Sequence, residues 1–217
     1  MTAADFIRAH TTLAHPALAP ELTLWSATEI TPLWQATEAW LAARDLAPPF
    51  WAFAWPGGQA LARHVLDHPE LVAGRRVLDF AAGGGIAAIA CARAGAASVA
   101  AAEIDPLARA AIALNAVENG AAVTVAAEDV VGTPGQWDLI LAGDVCYEAP
   151  MTARILPWLR AQARTAEVIL ADPGRAYLPA GLAALARYSV PTTRELEDRE
   201  SREVTLYRLE ADYIPEG

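Results

Sequence analysis

A chain of 217 residues, 54% hydrophobic and 19% charged, carries enough apolar surface for a full single-domain core, which excludes disorder as its dominant state. A net charge of −10, with no lysine and no arginine-rich block, excludes a phosphate-tracking surface for DNA or RNA and suits a basic or neutral partner. No apolar run approaches membrane-spanning length, and Cys91 and Cys146 lack the spacing of a zinc site or disulfide framework, so a soluble protein of the reducing cytoplasm is expected.

Residues 2–14 and 32–44 have helix-like patterns, separated by His15-Pro16, Pro20 and the apolar run ELTLW, and read as an N-terminal extension over 1–47. The main domain is expected over 48–217. It opens on the aromatic, proline-bounded stretch PPFWAFAWPGG, which predicts a loop entering a helix near Gln59–Asp67 and can line a pocket with rings. From residue 75, apolar runs near 75–80, 97–102, 122–126, 137–142 and 167–171 predict strands. Between and after them, helices are predicted near 85–94, 106–118, 151–164 and 179–187. That alternation predicts a Rossmann-like α/β fold, a mostly parallel sheet with helices on both faces. Asp105-Pro106 reads as a helix start, an acid at the cap and proline at the first helical position. Two strand-like runs, YSVPTTREL and REVTLYRL, joined by the charged EDRES turn, predict an antiparallel hairpin at the end of the sheet.

The ligand signal lies in residues 77–105, VLDFAAGGGIAAIACARAGAASVAAAEID. Gly83 and Gly85 permit positive φ and close backbone approach, while Glu103, 20 residues beyond Gly83, falls at the next strand tip, where a carboxylate can accept from ribose hydroxyls. The glycines alone fit either NAD or S-adenosylmethionine, since GGGIAA meets the dinucleotide pattern with Ala88 in third place. Asp79 distinguishes them: a carboxylate four residues before Gly83 repels a pyrophosphate and welcomes the sulfonium and ammonium of S-adenosylmethionine. Asp129, after the third strand, stands where it could accept from the exocyclic amine of adenine. The i, i+4 pair His64 and His68 lacks a supporting acidic motif, so no metal site is expected.

Over residues ~48–210 the chain resembles the class I, seven-β-strand S-adenosylmethionine-dependent methyltransferases, a span of ordinary domain size. PFWAFAWPGGQALARHVLD ahead of the glycine turn and WDLILAGDVCYE at the fourth strand resemble the family 16 lysine methyltransferases, closest to the branch acting on the electron-transfer flavoprotein β-subunit. The resemblance implies a D-x-x-Y motif at Asp144 and Tyr147, where an acceptor lysine of a protein substrate would enter, and S-adenosyl-L-homocysteine as product. GDVCY lacks the asparagine and prolines of the N-P-P-Y element used on amides and adenine, and a carboxylate suits a cationic amine, so Asp144 is expected to capture and align a lysine ammonium, with Tyr147 shaping the site. Trp55 is expected beside the adenosyl group or the lysine channel. One position departs from the family pattern: Ala81 replaces the first glycine of D-x-G-x-G-x-G, acceptable if its φ is negative. A small-molecule amine or pyridine methyltransferase, or a noncatalytic protein-binding module, is also compatible with these residues. A protein substrate calls for an open cleft and a small molecule for a lidded one, with residues 48–58 as roof.

Overall fold

A computed structural model describes residues 2–28, 48–126 and 128–211. The helix expected over 32–44 lies outside them. Helix α1 (Ala3–His10) starts in a capping box between Thr2 and Asp5 and ends before strand β1 (Thr12–Ala14), which pairs antiparallel with β2 (Leu24–Ser26). A 3-10 turn (Phe50–Ala52) leads into α2 (Pro56–Asp67), which begins at its proline, three residues earlier than predicted. There follow β3 (Arg76–Phe80), α3 (Ile86–Arg93), β4 (Ser98–Ala102), α4 (Pro106–Glu118), β5 (Thr124–Ala126), β6 (Leu139–Gly143), α5 (Ala149–Gln162) and β7 (Glu167–Asp172). The chain closes with β8 (Ala183–Pro191), the short α6 (Arg194–Glu197) and β9 (Ser201–Leu209).

Seven strands form one sheet in the order β5-β4-β3-β6-β7-β9-β8. The first five are parallel, and β9 pairs antiparallel with both β7 and β8. Strand period decides the two cores: Val77, Leu139 and Leu141 face α2 and α3, while their neighbours Leu78, Ile140 and Ala142 face α5. Because β4 and β5 build outward on one side of β3 and β6 and β7 on the other, the chain reverses direction at β3, and a crevice opens beyond the strand tips there.

The N-terminal residues are part of this body. Ala19, Leu22 and Leu24 are buried in the α2/α3 core, and Ile7 packs with Trp51, Ala108 and Ala111 against α4.

Two expectations fail at the end of the chain. The alanine-rich stretch predicted as a helix over 179–187 is strand from Ala183 onward, because nine residues of β9 offer a full hydrogen-bonding edge that outweighs the modest helix preference of alanine. A register shift between Ala184 and Ala186 accommodates the fit. The hairpin connection is also longer than the EDRES turn: Thr193 caps a helical turn at Arg194–Glu197 where TTREL had read as strand.

Candidate active site

The loops that follow all five parallel strands line a single cavity of about 970 Å³, with Leu24 to Ser26 and Phe50 to Trp55 forming its opposite wall. At one end stands the glycine turn. Gly83 and Gly85 have φ of +53° and +80°, and Gly84 passes so close to the 3-10 turn that a Cβ would lie 2.9 Å from the Trp51 carbonyl oxygen. Ala81 also has positive φ, +53°, so the negative φ that would have made alanine harmless is not adopted. The turn imposes the left-handed conformation on a residue with a Cβ, at a cost of about 1–2 kcal/mol.

Glu103, at the tip of β4, fixes that turn. Its Oε2 accepts from Gly83 N at 3.0 Å, and its Oε1 accepts from Ile104 N at 2.7 Å and Asp105 N at 3.2 Å. Of the roughly four lone-pair directions on a carboxylate, about one is left for a ligand hydroxyl. Burial raises its pKa against those three amides. Asp79 is buried at 3% exposure and accepts from Ala88 N at 2.9 Å. Burial, and secondarily the charge of Glu103, push it up to about 7. A pyrophosphate would add negative charge to an already strained pair of acids, whereas a cationic nucleoside relieves it; the residues fit S-adenosylmethionine. Asp105 caps α4 by accepting from Leu107 N at 2.8 Å, as its sequence context predicts.

Asp129 stands on the rim after β5. Its Oδ1 accepts from Val131 N at 2.9 Å and its Oδ2 is ion-paired with Arg154 of α5. Burial opposes its ionisation, yet Arg154 prevails and its pKa is lowered.

At the other end, β6 delivers Asp144 with φ of +55°. Its Oδ2 accepts from Gly57 N at 2.5 Å and its Oδ1 is 2.8 Å from Arg175 Nη2. Gly57 has no alternative: a Cβ there would lie 2.4 Å from Asp144 Oδ2. Burial pushes Asp144 up to about 6 although Arg175 pulls it down. The expected free carboxylate awaiting an ammonium is thus already paired within the protein, because the loop after β7 brings a guanidinium against it. Tyr147, 38% exposed, and Phe50, 46% exposed, pack against each other at the cavity edge, ring centres 5.8 Å apart and tilted by 57°. Trp55 stands behind them, its Nε1 donating to the Phe50 carbonyl at 2.7 Å and its ring 5.9 Å from the Arg175 guanidinium carbon. His64 lies on α2 and His68 caps its C-terminal end; His64 Nδ1 is 2.8 Å from the Tyr188 hydroxyl.

Comparison with known proteins bears on the family and the fold. The family model of ribosomal protein L11 methyltransferase matches residues 60–145. The electron transfer flavoprotein beta subunit lysine methyltransferase of Xenopus laevis is 37% identical over 95% of this chain and 86% of its own length. The protein of the same name from Danio rerio is 36% identical over 83% and 72%. In fold, the chain is similar to the magnesium protoporphyrin IX methyltransferase of Synechocystis with bound S-adenosylmethionine, at TM-score 0.52 and 20% identity over 70% of this chain and 79% of that one. The chain belongs to the electron transfer flavoprotein beta subunit lysine methyltransferase family. It is an S-adenosylmethionine-dependent methyltransferase.

Three residues of the methyltransferase's cavity escaped the sequence reading. Asn115, fully buried on α4, accepts from Trp25 N at 2.7 Å and donates to the Gly84 carbonyl at 2.9 Å, joining the N-terminal hairpin to the glycine turn. Arg154 belongs to a helix with no motif around it. Arg175 had a signal, the Asp-Pro-Gly-Arg turn directly after a predicted strand, since every parallel strand tip in such a sheet faces the crevice.

Proposed function

We propose that this methyltransferase acts on a lysine ε-amine of a protein, that its substrate is the electron-transfer flavoprotein β-subunit named in its relatives, and that it falls within family 16. The observation that carries the reading is the cavity edge after β6, where the rings of Phe50 and Tyr147 line the cavity and remain exposed, an apolar surface that a projecting protein side chain can lie against. A lidded small-molecule site would leave these rings covered. Glu103, with Gly83 and Gly85, would hold the ribose side of S-adenosylmethionine, Asp79 its cationic end, and Asp129 the adenine edge, while Trp55 walls the channel. Ala81 takes part through its backbone alone. Asp144 and Tyr147 frame the acceptor. A reducing cytoplasm, in keeping with the free thiols Cys91 and Cys146, is part of the same proposal.

When bound, S-adenosylmethionine supplies a methyl group activated by a positive sulfur. The lone pair of a neutral amine forms the N–C bond as the C–S bond breaks, and the proton leaves to water. At pH 7 a lysine amine with pKa ~10.4 must give up about 4.6 kcal/mol to become neutral, so the site has to favour deprotonation. The aromatic wall does so by withholding solvent from the ammonium, and alignment in the channel supplies the proximity part of the rate.

The test is methyl transfer from labelled donor to purified electron-transfer flavoprotein, read by peptide mass spectrometry. The enzyme itself contains no lysine, so every labelled lysine belongs to the substrate. One or a few modified lysines on the β-subunit are expected; transfer to small amines with none to the protein would sink the proposal.

A further inference from the structure

A carboxylate beside an aromatic face is a site for a cation, and in this molecule the cation is already supplied. Arg175 Nη2 lies 2.8 Å from Asp144 Oδ1, with the guanidinium carbon 5.9 Å from the centre of the Trp55 ring. Its other contacts keep it there. Nη2 and Nη1 donate to the two carboxylate oxygens of Glu197 at 2.5 and 3.2 Å, and Glu197, its side chain 1% exposed, also accepts from Arg202 Nε at 2.9 Å. The backbone is pinned as well, because Gly174 N and Arg175 N both donate to Asp172 Oδ1, at 2.7 and 2.6 Å. An incoming ammonium could take Asp144 only by pulling a forked guanidinium off a buried carboxylate, which is a costly exchange.

We propose that Arg175 is a positioning residue for methyl transfer: it permanently fills the cation site of Asp144 and Trp55, and its charge cancels the carboxylate charge that would otherwise hold the substrate amine protonated. The inference rests on the reading that the acceptor lysine enters beside Asp144. It reassigns Asp144 from capturing the substrate to anchoring Arg175. An unpaired carboxylate next to an amine raises the amine pKa, so by neutralising Asp144 the guanidinium removes an obstacle to the deprotonation that methyl transfer needs.

The groups around Arg175 permit a clean measurement. The loop after β6 presents Asp144, Cys146, Tyr147 and Glu148, the β7 loop Asp172, α6 Glu197 and β9 Arg202, while among the described residues α2 and the loop before it line the cavity with no ionisable group. Burial pushes the Cys146 thiol up to about 12 and raises the Tyr147 hydroxyl, and Asp144, at about 6, is ionised above neutrality.

The experiment follows kcat for methylation of electron-transfer flavoprotein at saturating donor from about pH 7 to about pH 10, where a lysine amine titrates. Arg175→Gln should move the midpoint of the rising limb upward by about one pH unit, the effect of one neighbouring charge, and Arg175→Lys should leave it at the wild-type position. Glu197→Gln, which removes a counter-charge and leaves Arg175, should move it downward. S-adenosylhomocysteine affinity, measured by calorimetry, should be unchanged in all three. A uniform fall in rate at an unmoved midpoint in both Gln variants would overturn the inference. If Arg175→Gln fails to bind S-adenosylhomocysteine, the direction of the Glu197→Gln shift decides alone. A wild-type enzyme that methylates no protein lysine overturns the acceptor assignment itself, and this inference falls with it.

Discussion

Glu103 and Asp144 are both carboxylates at parallel strand tips, on either side of β3, yet their partners give them opposite character. Glu103 is held by three backbone amides, which fix its position without cancelling its charge, so that end of the cavity offers an uncompensated carboxylate, joined by the Asp79 charge as the pH passes about 7, and suits a cationic nucleoside. Asp144 is held by a guanidinium, which fixes it and neutralises it. The donor opposite a strand-tip acid therefore decides whether it meets a ligand as a charge or serves as an anchor.

The largest expected effect sharpens the anionic end. Asp79 titrates at about 7 in the folded protein against 3.8 ordinarily, so between those values the native chain holds a proton that the unfolded chain has released, and stability falls as pH rises. Denaturation without ligand at pH 5 and pH 8 should show Asp79→Asn stabilised relative to wild type at the higher pH by a few kcal/mol, and by less than half as much at the lower, where the unfolded carboxyl has already ionised but the folded one has not. Equal effects at both pH values would mean that the Asp79 charge is not strained. At the neutralised end, Gly57→Ala should cost about 2–3 kcal/mol in a urea melt, because its Cβ would meet Asp144 Oδ2 at 2.4 Å and the Ala171 carbonyl at 2.7 Å, neither free to move. A neutral outcome would show that Asp144 is not locked. Glu103→Ala should weaken S-adenosylhomocysteine binding about 30-fold by calorimetry, the worth of one charge-assisted hydrogen bond of ~2 kcal/mol; an unchanged affinity would remove it from the site. The smallest effect is Ala81→Gly, which relieves the positive φ and should raise stability by about 1 kcal/mol or less, since glycine gives back part of the gain in chain entropy.

Local chemistry explains what could be read early. The glycine run, Asp79 and Glu103 signal through backbone freedom and fixed spacing along one strand-turn-helix-strand unit, and Asp105-Pro106 carries its helix start in two residues. All appear in the structure where the sequence put them. The strand at 183–191 was not legible, because its alanines take their conformation from β9, which follows ten residues later.

The sequence by itself determined the parallel sheet, the crevice beyond its tips, and the cationic character of the cofactor, since each follows from short-range pattern and from the sign of neighbouring charges. Only the tertiary structure decided that Asp144 is already paired, that Ala81 carries a left-handed backbone, and that the N-terminal hairpin walls the cavity through Asn115. Those facts depend on groups 31 to 90 residues apart being brought within hydrogen-bonding distance, or on the strain a completed turn imposes, and neither is written in local spacing.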